Sequence, residues 1–169
     1  MGKHRVAGGR PSRPHPAVWI GGGLSLLGAL LVRLRAGSPL PLLHLLGTAT
    51  RLPPLWLMGV LWSAGFFLFG CAAGEMLVCR APGSRAAWRG RGAPYGLIAY
   101  ILALAWYPLL FSVSWLWFSL LCQVAATAAA LCCALCWMRV QGRLALLLLP
   151  WVGWQVFLCG AELGVLLTR

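Results

Sequence analysis

The longest uncharged run limits what this chain can become. From Gly92 to Met138, forty-seven residues pass without an Asp, Glu, Lys or Arg. As one helix the run would be about 70 Å long, more than twice the hydrocarbon core of a bilayer. It must therefore fold back. Pro108 and the Ser112-Val113-Ser114 step are the places for the reversal, which gives one span over 94–111 and another over 115–138. Apolar runs on either side supply three more, over 17–34, 54–79 and 144–167. The expected fold is all-α, an integral membrane bundle of five transmembrane helices over 17–169.

Composition agrees. Hydrophobic residues make up 61% of the chain and charged residues 9%, against about 25% charged in a soluble domain. The net charge of +12 does not imply nucleic acid as a partner. Its arginines cluster at the ends of apolar runs, where they set topology and meet anionic lipid head groups. No RNP, zinc-finger or helix-turn-helix signature is present. With five spans, Lys3, Arg5, Arg10, Arg13, Arg80, Arg85, Arg89, Arg91, Arg139 and Arg143 share one side, and Arg33, Arg35, Arg51 and Arg169 the other. That asymmetry puts the arginine-rich side in the cytoplasm.

Residues 1–16, basic and rich in Gly and Pro, read as a disordered arm. The first span is expected to remain uncleaved, because no clean small-x-small site precedes Arg33 and Arg35. Residues 36–52 are too short and Pro-broken to span and read as an interfacial loop. His44 there is expected at the interface, not in catalysis.

The second span opens as Pro53-Pro54-Leu55-Trp56-Leu57-Met58-Gly59-Val60-Leu61-Trp62. A Pro pair stops what precedes it and is tolerated at a helix start. Trp56 then falls at the water–lipid level. Gly59, Trp62, Phe66 and Phe69 share one face at helical spacing. Three rings and one small residue suit either a slot for a flat apolar ligand or plain packing against neighbouring helices. On the fifth span Trp151, Trp154, Gln155, Leu158 and Glu162 lie within about 100° of one another. Tyr100, Leu104, Tyr107 and Phe111 form a stripe on the third, and Gln123 and Thr127 on the fourth. Rings with few polar groups are what a sterol, a porphyrin or another flat apolar ligand needs.

The two acids, Glu75 and Glu162, both lie in spans, and the alternation of the spans puts them at opposite ends, so they cannot act as a carboxylate pair. Glu75 is expected to meet Arg80, Arg139 or Arg143 in an ion pair. Glu162 is expected to pair with Arg33, Arg35 or Arg51; unpaired, it would donate a hydrogen bond to a ligand carbonyl or propionate. The seven cysteines form no extramembrane disulfide framework, and Cys132, Cys133 and Cys136 lack nearby ligands for a metal. Without a nucleophile–base pair, a phosphate loop or metal-ligand spacing, no enzyme is expected, and no cofactor. Gly70/Gly74 and Gly160/Gly164 are GxxxG pairs, which serve either a homodimer or contacts within one bundle.

The sequence resembles the translocator protein family, also called tryptophan-rich sensory proteins or peripheral benzodiazepine receptors. Its Pro-Pro-x-Trp-x-x-Gly-x-x-Trp pattern is met by Pro53, Pro54, Trp56, Gly59 and Trp62. Phe66 and Phe69-Gly70 resemble the steps that follow, and Pro150, Trp151, Trp154 and Phe157 the family's last-helix pattern. The resemblance covers residues 17–168. It implies a five-helix receptor or carrier for cholesterol, porphyrins and isoquinoline-type drugs, commonly dimeric, in mitochondrial outer or bacterial membranes. The ligand set it points to is Trp56, Gly59, Trp62, Phe66, Trp106, Tyr107, Trp151, Trp154, Leu158 and Glu162. The sequence departs from the family at Val60, where Pro is usual, and at Ala105 and Glu162, where Asn is usual. The C-terminal sterol motif lacks its aromatic near Leu163. These losses favour an alternative, a structural or partner-regulating membrane protein with a degenerate pocket.

Overall fold

The computed structural model describes residues 15–36, 54–79, 83–111 and 115–167. They form five helices: α1 Pro16–Arg35, α2 Leu55–Val78, α3 Ser84–Phe111, α4 Leu116–Met138 and α5 Gly142–Leu167. All five contain a stretch long and apolar enough to cross a membrane, and the described residues contain no strand. Apart from His15, Pro16 and Ala36, the basic arm and the interfacial loop lie outside the described residues.

Local chemistry sets several helix ends. His15 caps α1, its Nδ1 accepting from the Ala17 amide at 3.2 Å, and Pro16 occupies the first turn, where its missing N–H costs nothing. Gly83 adopts a positive φ of 60° just before α3, a conformation open to glycine. The reversal inside the uncharged run lies between Phe111 and Leu116, as the length argument requires. Pro108 does not make it; it is carried within α3, as Pro150 is within α5.

The start of α3 differs from expectation. The polar stretch read as a loop up to residue 93 is helical from Ser84 onward, through Pro94. Side chains anchor this extra length. Arg89 donates to the Cys79 carbonyl at 2.7 Å, and the Trp88 ring lies beneath two guanidiniums, Arg91 at 5.3 Å and Arg139 at 4.9 Å.

The helices close a ring in the order α1, α2, α5, α4, α3, with α3 returning lightly to α1. Apolar lipid offers no hydrophobic drive between helices, so close packing and hydrogen bonds hold such a bundle. α1 meets α2 backbone to backbone where Gly21 faces Gly70 and Gly74; a Cβ on Gly21 would lie 2.5 Å from the Gly70 carbonyl oxygen. Ser25 Oγ donates to the Phe66 carbonyl at 2.8 Å, and Tyr100 Oη to the Ser25 carbonyl at 3.0 Å. The Gly70/Gly74 pair is thus covered by α1. Gly160 has open space around it.

The distribution of polarity is inverted relative to a soluble protein. Trp19, Leu24, Leu31, Trp117, Leu121 and Leu135 are exposed, whereas Ser25, Ser119, Gln123, Thr127, Gln155 and Glu162 are buried. An apolar exterior around a polar seam suits a lipid solvent.

Candidate functional site

Rings from four helices build the interior. Trp62 and Phe66 of α2 meet edge-on at 4.8 Å between centroids, and Trp62 reaches Tyr107 of α3 at 5.7 Å. Phe66 contacts Tyr100 at 5.7 Å and Trp151 of α5 at 6.2 Å. Phe69 stacks on Tyr100, lies 4.5 Å from Trp151 and touches Trp137 of α4 at 6.5 Å. The α2 face therefore packs ring against ring. Edge-on and offset contacts of this kind contribute about 0.5–1.5 kcal/mol each beyond burial.

Beside the rings runs a polar seam between α3, α4 and α5. Glu162 is 2% exposed; its Oε1 accepts from Trp106 Nε1 at 3.0 Å and from Ser119 Oγ at 2.7 Å. Gln123 Nε2 donates to both the carbonyl and the side-chain oxygen of Gln155. Thr127 Oγ1 donates back to the Gln123 carbonyl at 2.8 Å and sits 3.6 Å from Cys159 Sγ.

Two expected ion pairs are replaced by hydrogen bonds from uncharged donors. Arg33 does not reach Glu162, because α1 packs along α2 rather than α5, and Trp106 and Ser119 take the carboxylate instead. Arg35 is no partner either, and Arg51 lies outside the described residues. Glu75 receives Gln141 Nε2 at 3.1 Å, not Arg139 or Arg143; Arg80 is likewise outside the described residues. The two acids do stand at opposite ends of the bundle, as the alternation of spans requires.

Several buried polar atoms have no hydrogen-bond partner among the described residues: the indole nitrogens of Trp137, Trp151 and Trp154, Gln123 Oε1 and Glu162 Oε2. Each such atom costs about 1–3 kcal/mol.

Eight of the ten expected ligand residues, Trp62, Phe66, Trp106, Tyr107, Trp151, Trp154, Leu158 and Glu162, are buried in the interior. Trp56 and Gly59 are not brought to them. Trp56 is 70% exposed. With Leu26, Arg33, Ser63 and Phe67, Trp56 and Gly59 line an open groove of about 590 Å³ between α1 and α2. Arg33 joins the two regions: its guanidinium lies 6.0 Å from the Trp62 ring centre and near the Tyr107 hydroxyl. A second cavity, of about 450 Å³, opens between α2 and α3.

Arg33 and Ser119 are not among the ligand residues expected from the sequence. Arg33 is expected there as a charge at the end of a span and as a partner for Glu162, not as a ligand residue. Ser119 carried a usable signal, since Ser119, Gln123 and Thr127 repeat every four residues on one face.

No curated protein and no solved structure matches the chain. The family model described as TspO/MBR matches residues 22–167, which takes in most of α1 and all of α2 to α5. With that match over most of its length, the chain is a multi-pass integral membrane protein that belongs to the TspO/MBR family.

Proposed function

We propose that the protein is a receptor or carrier for a flat apolar ligand bearing an anionic edge, a porphyrin before a sterol. One observation carries this reading: Trp56 and Gly59 of the Pro-Pro-x-Trp-x-x-Gly-x-x-Trp pattern line a groove together with Arg33, whose guanidinium also lies against Trp62 and Tyr107. Trp56 and Phe67 offer ring faces to a macrocycle, and Arg33 offers a forked donor to a carboxylate. The volume of about 590 Å³ falls within the range of small-ligand pockets. A sterol has no carboxylate for Arg33, and the aromatic of the C-terminal sterol motif is missing near Leu163. The membrane concerned is a mitochondrial outer membrane or another cellular or bacterial one, by family likeness.

Tight ring packing in the interior favours a second reading, a structural or partner-regulating protein whose inner pocket has closed. Titrating the detergent-solubilised chain with protoporphyrin while reading tryptophan fluorescence separates the two. Saturable quenching, weakened about tenfold or more in Arg33→Gln and in Trp56→Ala, is expected of the receptor. Quenching that does not saturate, or that neither variant alters, supports the structural reading.

A further inference from the structure

We propose that the cavity between α2 and α3 holds one acyl chain of an anionic phospholipid, with Arg89 on its phosphate. The site lies at the arginine-rich end, on a different helix pair from the Arg33 groove, and does not depend on the ligand proposed there.

The cavity exists because α2 and α3 scarcely touch, while α3 packs along α4. Phe69, Met76, Gly96, Tyr100 and Trp137 are among its walls, with Arg89 at its end. Its volume of about 450 Å³ cannot admit a whole phospholipid, whereas a single chain is narrow enough to enter. Leu77 and Leu97, both strongly exposed, flank the opening, so the cavity faces lipid rather than water.

Charge selects the head group. Arg89 crosses the mouth, one N–H held by the Cys79 carbonyl; a guanidinium has five donors, which leaves others for a phosphate. Arg85, Arg91, Arg139 and Arg143 stand at the same end, and the acid nearest them, Glu75, is hydrogen-bonded by Gln141. No carboxylate among the described residues neutralises this collar.

Trp137 forms the deep wall of the cavity. Its ring is buried, its indole-nitrogen edge against Gly92 and its far edge toward Gly96, which lines the cavity. Gly92 lies three residues below Arg89 on α3, about 4.5 Å deeper along the axis, so a chain held under Arg89 passes along this ring.

The test uses the full chain reconstituted in phosphatidylcholine vesicles containing lipid brominated on its acyl chains, either phosphatidylglycerol or phosphatidylcholine. The quenching assigned to Trp137 is the part lost in Trp137→Phe. An Arg near an anionic surface favours the anionic lipid about fivefold. The expected result is saturable quenching of Trp137 with that preference for phosphatidylglycerol. Arg89→Gln removes the preference, and Ala93→Phe or, separately, Leu97→Trp lowers quenching by both lipids by filling the slot. Circular dichroism and thermal unfolding confirm that each variant is folded. Equal quenching by the two lipids in the wild type overturns the proposal, as does a preference that survives Arg89→Gln. Unchanged Trp137 quenching in the folded slot-filling variants also overturns it. Displacement by equimolar oleate would assign the slot to a free fatty acid and overturn the phospholipid.

Discussion

Adding one methyl group at Gly74 is expected to push α1 off α2. A Cβ there would lie 3.0 Å from the Ala17 carbonyl carbon and 3.1 Å from Val18 Cα, and still nearer the Ala17 carbonyl oxygen. At Gly70 it would meet Ser25 Cβ at 2.5 Å and the Gly21 carbonyl carbon at 2.8 Å. Most of these obstacles are backbone atoms, so no rotamer change relieves them, and the helices must separate. Overpacking of this kind costs about 1–3 kcal/mol. It also loosens the Ser25 to Phe66 hydrogen bond beside it. Gly160 and Gly23 have open space around them, and there a helical Gly→Ala change stabilises by about 0.5–1 kcal/mol. Unfolding of the purified chain by SDS in mixed micelles, followed by circular dichroism, measures the difference. Gly70→Ala and Gly74→Ala are expected to unfold at lower SDS fraction than wild type, and Gly160→Ala and Gly23→Ala at equal or higher fraction. Four variants with the same midpoint would refute the close approach of α1 to α2.

Removing either donor to Glu162, by Trp106→Phe or Ser119→Ala, is expected to destabilise the bundle by about 1–3 kcal/mol. In a Glu162→Leu background the same changes cost less, and a double-mutant cycle in the same unfolding assay reads the coupling. Gln123→Leu alone strands Gln155 and costs about 1–3 kcal/mol, while Gln123→Leu with Gln155→Leu recovers much of it. If chains associate, crosslinking in detergent should respond to Gly160→Leu, on the open face of α5; a dimer unchanged by it would place the contact elsewhere. Epitope tags placed before Pro16 and after Leu167 should report opposite sides of the membrane, because five spans separate them, and protease protection checks this.

The spans were legible because an uncharged run longer than a bilayer is thick leaves few ways to fold. The inward face of α5 was legible for a similar reason. Trp151, Trp154, Gln155, Leu158 and Glu162 share one side of a helix, and rings with polar groups avoid lipid. Neighbour order was not legible. The pairing of Glu162 with Trp106 and Ser119 follows from α5 packing on α4 and standing across the ring from α1, a relation between helices that one helix's periodicity does not encode. The same gap hid the partner of Gly70 and Gly74. The early start of α3 was missed because Arg85, Arg89 and Arg91 read as a solvated loop and Pro94 as a helix start. The anchoring of Arg89 on the Cys79 carbonyl and of Arg91 and Arg139 on Trp88 keeps that stretch helical, and those partners come from three different helix ends.

Locating a bound porphyrin on the chain tests the central claim most directly. A porphyrin carrying a diazirine on one ring edge, photolysed with the reconstituted protein and mapped by mass spectrometry, marks its site. The expected result is saturable labelling of the α1 segment around Leu26 and Arg33 and of the α2 segment from Trp56 to Phe67, competed by unmodified porphyrin and reduced in Arg33→Gln. Labelling spread over the lipid-facing tryptophans Trp19, Trp115 and Trp117 without competition would contradict a porphyrin site at the Arg33 groove.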